Sequence, residues 1–270
     1  MPSIHLFKIA APNVAKKAQA GQFVVIRVDE KGERIPLTIA DWDREKGSIT
    51  IVFMEVGTTT RKLASVKTGD FIANFVGPLG LPTHIEKLGT VACVGGCYGI
   101  ASIMPIARVM KDAGNKVISF IEARTQSLLF WEDRLRRVSD QLIIATGEGS
   151  SYGAKGRIPQ KIEEIVAGGD KVDLLVAVGC TYMMMVCAET TRPFGIKTIV
   201  HLNPIMVDGT GMCGCCRVSV GGATKFACVD GPEFDGHQVD WGLLLARQGQ
   251  YLTEEIRSLQ VWECHNWVKV

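Results

Sequence analysis

The chain has 270 residues, of which 47% are hydrophobic and 21% charged, with a formal net charge of +2; that is enough chain for about two domains at roughly 100–200 residues each. The balanced charge argues against a nucleic-acid footprint or a polybasic membrane anchor. The longest apolar stretch, 174–188, is too short to span a bilayer, and MPSIHLFKIAAPNVAKK has no apolar core and cleavage site of a signal peptide, so a cytoplasmic protein with no membrane or nucleic-acid partner is expected.

Residues 1–88 read as β structure. GQFVVIRV (21–28), SITIVFMEV (48–56) and DFIANFV (70–76) are short β-branched or aromatic runs separated by Gly, Asp and Lys turns. Five or six strands in about 88 residues predict a small antiparallel barrel. Within it, RIPLTIAD (34–41) puts Arg34, a proline-stiffened strand and the Thr38 hydroxyl in sequence. An arginine pairs with a diphosphate and cannot be titrated away, and a Thr hydroxyl or backbone N–H can reach the polar edge of an isoalloxazine ring. VGTTTRKL (56–63) follows, a glycine turn leading through three threonines into a helix start. Unpaired N–H groups and the helix dipole suit a phosphate there; the plain alternative is a surface strand and a capped helix.

GPLGLPTHIEKLG (77–89) is a Pro/Gly-rich connector, and beyond it the pattern changes. TVACVGG, KVISFIE, QLIIAT, VDLLVAVG and KTIVHLN are continuous apolar runs, with helix-like stretches over 99–113, 127–138, 158–167 and 181–192. Alternation of fully apolar strands with helices predicts a doubly wound parallel sheet over 89–203. CVGGCYGIAS (93–102) follows a strand and opens a helix. It departs from G-x-G-x-x-G, yet its small residues still let backbone approach a pyrophosphate. Glu122 ends the next strand, where a carboxylate can accept from a ribose 2′-OH and favour NAD; Arg124 pulls the other way, towards a 2′-phosphate. TGEGSSYGAKGR (146–157), containing Gly147 and Glu148, and VGC (178–180) add two more loops at strand C-termini, where open α/β sheets bind ligands. Turns that merely need glycine are the competing reading.

Regular pattern disappears between Asn203 and about Trp241, the interval that holds three of the nine cysteines within four positions. From Asp208 the spacing is D-x4-C-x2-C-x11-C through Cys213, Cys216 and Cys228. With a cysteine in first place this is the plant-type [2Fe–2S] spacing. Zinc also takes thiolates, but a structural zinc site usually shows two paired motifs, and here Cys213/Cys216 is one pair. The flavin and nucleotide signals upstream favour a redox cluster over 204–240, with Cys215 a non-ligand. An aspartate in first place is a harder ligand than thiolate and is expected to raise the cluster potential. The remaining cysteines, Cys93, Cys97, Cys180 and Cys187, read as small buried residues. The C-terminal stretch 241–270 carries Trp262 and Trp267, which suit either an interface or a terminal helix on its own domain. Cys264 and His265 lie too far from the cluster loop for any ligand spacing.

In that order, RIPLTIAD, VGTTTRKL, GPLGLP, VGGCYGIAS, VGCTYMM and the cysteine loop resemble the ferredoxin–NADP reductase superfamily over essentially the whole chain. The likeness is to the branch holding the electron-transfer subunit of class 1B dihydroorotate dehydrogenase and the small subunit of NADH-dependent reduced ferredoxin:NADP oxidoreductase. The resemblance implies FAD, NAD(H) and a [2Fe–2S] cluster. It places Arg34, Pro36, Leu37, Thr38, Ile39 and Ala40 on the flavin strand, and Gly57, Thr59 and Thr60 at the flavin diphosphate. Gly95, Gly96, Gly99 and Ile100 would form the nucleotide loop, with Gly179, Cys180 and Met183 near the nicotinamide. G-C-T stands here for the superfamily's C-G-P, which leaves the role of Cys180 open. The dihydroorotate branch has four cysteine ligands and the bifurcating branch an aspartate first, so Asp208 points to the second. Its implied partner is a larger flavin and [4Fe–4S] subunit, with ferredoxin and NADP(H) reached through it. The alternatives are service to a dihydroorotate dehydrogenase or a sulfide/polysulfide reductase, and, from another class, a zinc-stabilised nucleotide-binding regulator.

Overall fold

The computed structural model describes residues 3–147, 157–169 and 171–267. Its first part comprises β1 (Ile4–Ala10), α1 (Pro12–Lys17), β2 (Phe23–Arg27), β3 (Arg34–Asp43), β4 (Ser48–Met54), α2 (Thr58–Ala64) and β5 (Asn74–Leu79). The strands form one antiparallel sheet in the order β1-β4-β3-β2-β5. The expected barrel therefore ends on β1 and β5 instead of closing by hydrogen bonds, and α1 packs on both β4 and β5. β5 begins four residues later than the apolar run DFIANFV suggested.

β2 is buried on both faces, and its alternation divides it between two cores. Val24 and Ile26 pack with Ile39, Ile49, Ile51 and Phe53 inside the first sheet. Phe23 and Val25 face the other way, into the core that holds Leu202, Cys216, Val218 and Cys228. One strand thus welds the barrel to the cysteine segment.

The second part comprises β6 (Thr90–Gly96), α3 (Gly99–Asp112), β7 (Lys116–Ala123), α4 (Glu132–Val138), β8 (Gln141–Thr146), α5 (Ile158–Ala167), β9 (Leu174–Val178), α6 (Thr181–Thr191) and β10 (Lys197–His201). The sheet order is β13-β10-β9-β6-β7-β8, parallel from β6 to β10. α3 and α4 supply Ile100, Ile103, Ile106 and Leu135 to one core; α5 and α6 supply Ile158, Ile162, Met184 and Cys187 to the other. This is the doubly wound sheet the apolar runs predicted. The order reverses between β6 and β9, the switch point at which such folds bind ligands. The helix expected over 127–138 starts at Glu132, because Trp131 ahead of it lies at φ 60°, outside helical space.

The cysteine segment is more regular than its sequence suggested. It holds the hairpin β11 (Arg217–Val220) and β12 (Ala223–Phe226), and β13 (Glu233–Asp235), which adds antiparallel to β10. The turn is Gly221-Gly222, a hairpin signature open to sequence reading. β13 has three residues, too few to show a period. At the junction of all three parts, Glu233 Oε1 accepts from the Thr83 hydroxyl at 2.5 Å and lies 2.7 Å from Nε2 of buried His201. Then follow α7 (Trp241–Gln248) and α8 (Leu252–Trp267). α8 returns to α2, where Arg61 Nη1 meets Glu263 at 2.7 Å and the Thr58 and Ser258 hydroxyls are 2.9 Å apart. Among the described residues no helix is long and apolar enough to cross a membrane.

Candidate functional site

On β3, Arg34 is exposed at the strand head, Pro36, Leu37 and Thr38 are half-buried, and Ile39 and Ala40 are buried. The pairings Val25↔Pro36, Val24↔Leu37 and Phe23↔Thr38 lock the strand to β2. The turn before α2 is shaped by Thr60, whose Oγ1 accepts from the Val56 and Gly57 N–H groups and donates to the Gly57 carbonyl, all at 3.0 Å. Thr59 Oγ1 donates to Glu33 at 3.4 Å. The Thr60 hydroxyl therefore serves the turn itself, and that of Thr59 reaches the residue just ahead of β3. Gly57 has extended backbone, and a Cβ added there would meet nothing within 4 Å. The space over this turn is open and fits a ligand group.

The nucleotide loops meet at the switch point. Gly99 opens α3 where a Cβ would stand 2.6 Å from the Val178 carbonyl carbon and 3.0 Å from Gly179 Cα, with the Val178 oxygen nearer still. Glycine there lets β6, α3 and β9 converge. Gly95 sits against the Ile100 backbone, and Met183 lies over Gly96 and Gly179. Ile100 itself is fully buried and anchors the first turn. Beside them opens a cleft of about 440 Å³ whose walls include Glu122, Arg124, Gly147, Cys180 and Met183. Its size and mixed lining suit a small organic ligand. Glu122 is already engaged, accepting from the Ile158 N–H at 3.1 Å and lying 3.4 Å from Arg157 Nε. Glu148 lies outside the described residues.

Cys93 and Cys187 are fully buried, and burial pushes both thiols up to about 12, as expected for packing residues. Cys97 and Cys180 instead reach the cleft, Cys180 exposed. Sequence reading did not single out Tyr98. Its hydroxyl donates to the Gly179 carbonyl at 3.1 Å and accepts from Asn203 Nδ2 at 2.9 Å, and burial raises it to about 12. It ties the two loops to the residue that leads into the cysteine segment. Nothing in its local sequence marks that role, because both partners are distant in the chain.

In the cysteine segment the candidate donors stand in two pairs. Cys216 and Cys228 are buried with Sγ atoms 3.2 Å apart, well beyond the roughly 2.05 Å of a disulfide. Burial, with Cys216 beside it, pushes Cys228 up to about 12. Two buried thiols in contact favour a cation that would take them as thiolates. Asp208 and Cys213 are the second pair: the carboxylate accepts from the Thr210, Met212 and Cys213 N–H groups at 3.0–3.1 Å. The bonds from Thr210 foremost, and then from Cys213, hold its pKa below the usual value. Cys215 leans on Cys213, whose hydrogen bond raises its thiol, and is half-buried. Among the described residues no three such side chains already converge at single-ion spacing. Two pairs of donors fit a two-iron cluster better than one zinc ion. The loop is set against the barrel at Gly209 (φ 76°), where a Cβ would come within 2.7 Å of Leu79 and 3.0 Å of Val25.

Comparison with known proteins agrees with this geometry. The model of the iron–sulfur cluster binding domain of dihydroorotate dehydrogenase B matches residues 203–240. A Thermotoga maritima protein described as a dihydroorotate dehydrogenase B (NAD(+)) electron transfer subunit homolog is 50% identical over 249 residues, spanning 92% of this chain and 87% of that one. The dihydroorotate dehydrogenase B electron transfer subunit of Shouchella clausii is 32% identical, spanning 82% and 86%. A solved structure of NADH-dependent reduced ferredoxin-NADP oxidoreductase, an enzyme of flavin-based electron bifurcation, superposes with a TM-score of 0.90 at 48% identity, covering 96% of this chain and 93% of that one. Phthalate dioxygenase reductase, at 14% identity and a TM-score of 0.54, shares the fold alone.

Proposed function

The chain belongs to the family of dihydroorotate dehydrogenase B electron transfer subunits, and from that premise we propose that it is the NAD-linked arm of an electron-bifurcating ferredoxin:NADP transhydrogenase. It is an oxidoreductase electron-transfer subunit, and its cofactors are FAD, NAD(H) and a [2Fe–2S] cluster. We assign residues 1–88 to the flavin, 89–203 to the nucleotide and 204–240 to the cluster, with 241–270 at the subunit boundary.

One observation supports the reading most: the parts assigned to nucleotide, flavin and cluster pack on one another in that order. β3 ends against α3 through Ala40 and Ala101, and α3 starts in the nucleotide loop. Elsewhere on the same outward face of the sheet, Val25 and Leu79 receive the cluster loop at Gly209. When bound, the flavin would supply the exchange between one hydride, an electron pair, and single electrons, which the cluster would carry one at a time.

The chain's own residues supply position. Arg34 and the turn at Gly57 would hold the flavin diphosphate, and the Thr38 edge of β3 would face the ring. Tyr98 and Met183 fix the floor of the nucleotide cleft by closing the Gly96 and Gly179 loops on each other. Asp208, Cys213, Cys216 and Cys228 would hold the two irons. On α8, Leu252, Ile256 and Val261 remain about half exposed, which supports a docking role for the C-terminal stretch.

The partner assignment is tested by anoxic affinity isolation of the tagged chain. The expected result is one stoichiometric larger subunit bearing flavin and [4Fe–4S], and a complex that reduces ferredoxin with NADPH only when NAD is also present. A complex that instead reduces NAD with dihydroorotate would replace this reading with the dihydroorotate one.

A further inference from the structure

The flavin strand and the nucleotide helix are joined by a charged grip that no part of the functional reading uses. Asp41 follows Thr38 by three residues on β3, about 10 Å along the strand. The register between β3 and β4 shifts between Ile39 and Asp41, and a bulge of this kind re-aims the side chain that follows it. Here it turns the Asp41 carboxylate towards the neighbouring part of the molecule. Its Oδ1 lies 3.0 Å from Arg108 Nη1 on α3, and its Oδ2 lies 3.5 Å from Arg134 Nη2 on α4.

Both guanidiniums are braced. Arg108 stands 5.1 Å from the centroid of Trp42, and Arg134 stands 4.4 Å from that of Trp131, within the range of cation–π attraction. Under the grip runs an apolar seam of Ala40, Val52 and Ala101, with Phe130 and Trp131 packed against it. The Asp41 side chain is 17% exposed, so water screens these pairs less than it would on an open surface.

We propose that Asp41, held by Arg108 and Arg134, is a positioning residue that fixes the distance between flavin strand and nucleotide helix for hydride transfer. The proposal rests on the nicotinamide–flavin reading above. Hydride transfer needs reacting atoms about 3–3.5 Å apart, and a shift of about 1 Å far from the chemistry can cost about 100-fold in rate. Arg108 lies nine residues beyond Gly99 on the same helix, with Pro105 between them, so a slip at the grip is passed along α3 to the nucleotide loop.

The test uses the full chain with its cofactors and the variant Asp41→Asn, which keeps the shape and removes the charge. Anaerobic stopped-flow reduction of the flavin by NADH should show a limiting rate lowered about tenfold or more, with half-saturating NADH within about twofold of wild type. Flavin and iron contents should match wild type. Adding Arg134→Met to Asp41→Asn should cost little more, because the two act as one grip. A limiting rate equal to wild type, or losses that simply multiply, would overturn the proposal. If NADH fails to reduce the wild-type flavin at all, the functional reading falls, and the grip is then judged by amide hydrogen exchange. Faster exchange across Ala101–Arg108 and Glu132–Leu135 in Asp41→Asn supports it, and unchanged exchange refutes it.

Discussion

Replacing Gly99 by alanine tests the switch-point site with a single methyl group. The added Cβ would face the end of β9 at 2.6 Å from the Val178 carbonyl carbon. That neighbour is backbone, so it cannot swing aside as a side chain would. Either β9 and its Gly179 loop retreat by about 1 Å or α3 unwinds its first turn. Overpacking of this kind costs about 1–3 kcal/mol, which at about 2–4 °C per kcal/mol for a chain of this size class lowers Tm by about 2–12 °C. The functional cost is larger in proportion. A shift of about 1 Å in the nucleotide floor predicts about a 100-fold slower reduction of flavin by NADH, equivalent to about 2.7 kcal/mol in the barrier. Thermal unfolding and anaerobic stopped-flow on the same preparation read both quantities, and flavin and iron contents should be unchanged. Wild-type Tm together with a wild-type rate would refute the claim that these loops close on one another around the nucleotide.

Gly57→Ala makes the opposite case: with extended backbone and no neighbour within 4 Å, it should leave stability unchanged or raise it by about 0.4–1 kcal/mol. It should nevertheless weaken flavin retention, measured by dialysis and fluorescence; unchanged flavin affinity would remove the turn from the diphosphate site. Asp208→Cys replaces a hard ligand by a thiolate and should lower the cluster potential in an anaerobic redox titration. A potential that is unchanged or higher would contradict Asp208 as a ligand. Burial pushes the Glu233 carboxyl up, but the adjacent His201 charge and the hydrogen bonds from His201 and Thr83 carry it net below its ordinary value of 4.5. A depressed carboxyl stabilises the fold above that value and loses the contribution as pH falls through the folded pKa. Wild type should therefore lose Tm below about pH 4.5 more steeply than Glu233→Gln; parallel curves would show that the junction does not titrate as described.

Much of this was legible in the sequence because each signal was local. The five parallel strands announced themselves as continuous apolar runs, and the loops Gly95–Gly99 and Gly179–Cys180 could be placed at strand ends and so at the switch point. The spacing from Asp208 to Cys228 marked the cluster-binding segment and the proposed donor set without any tertiary knowledge. What was hidden depends on contacts between distant residues. β2 reads as one apolar strand, and nothing in FVVIR tells that its two faces serve two cores. Glu122 reads as a free carboxylate at a strand end, but the chain returns 36 residues later to occupy it with the Ile158 N–H. Thr59 and Thr60 read as the start of a phosphate-binding helix, and only the fold shows that their hydroxyls bond Glu33 and their own turn. Tyr98 and Asp41 were passed over because their partners, Asn203 and Arg108, lie 105 and 67 residues away. The hairpin at Gly221-Gly222 had a readable signature, masked by the surrounding cysteines.

The account rests on the chain holding a flavin and a two-iron cluster together, and the most direct measurement is the visible spectrum of the anaerobically purified chain with flavin, iron and zinc quantified. The account predicts flavin bands over a broad iron–sulfur absorption, with one flavin and about two irons per chain. Zinc in place of iron, with no flavin, would contradict it and leave a colourless nucleotide-binding protein.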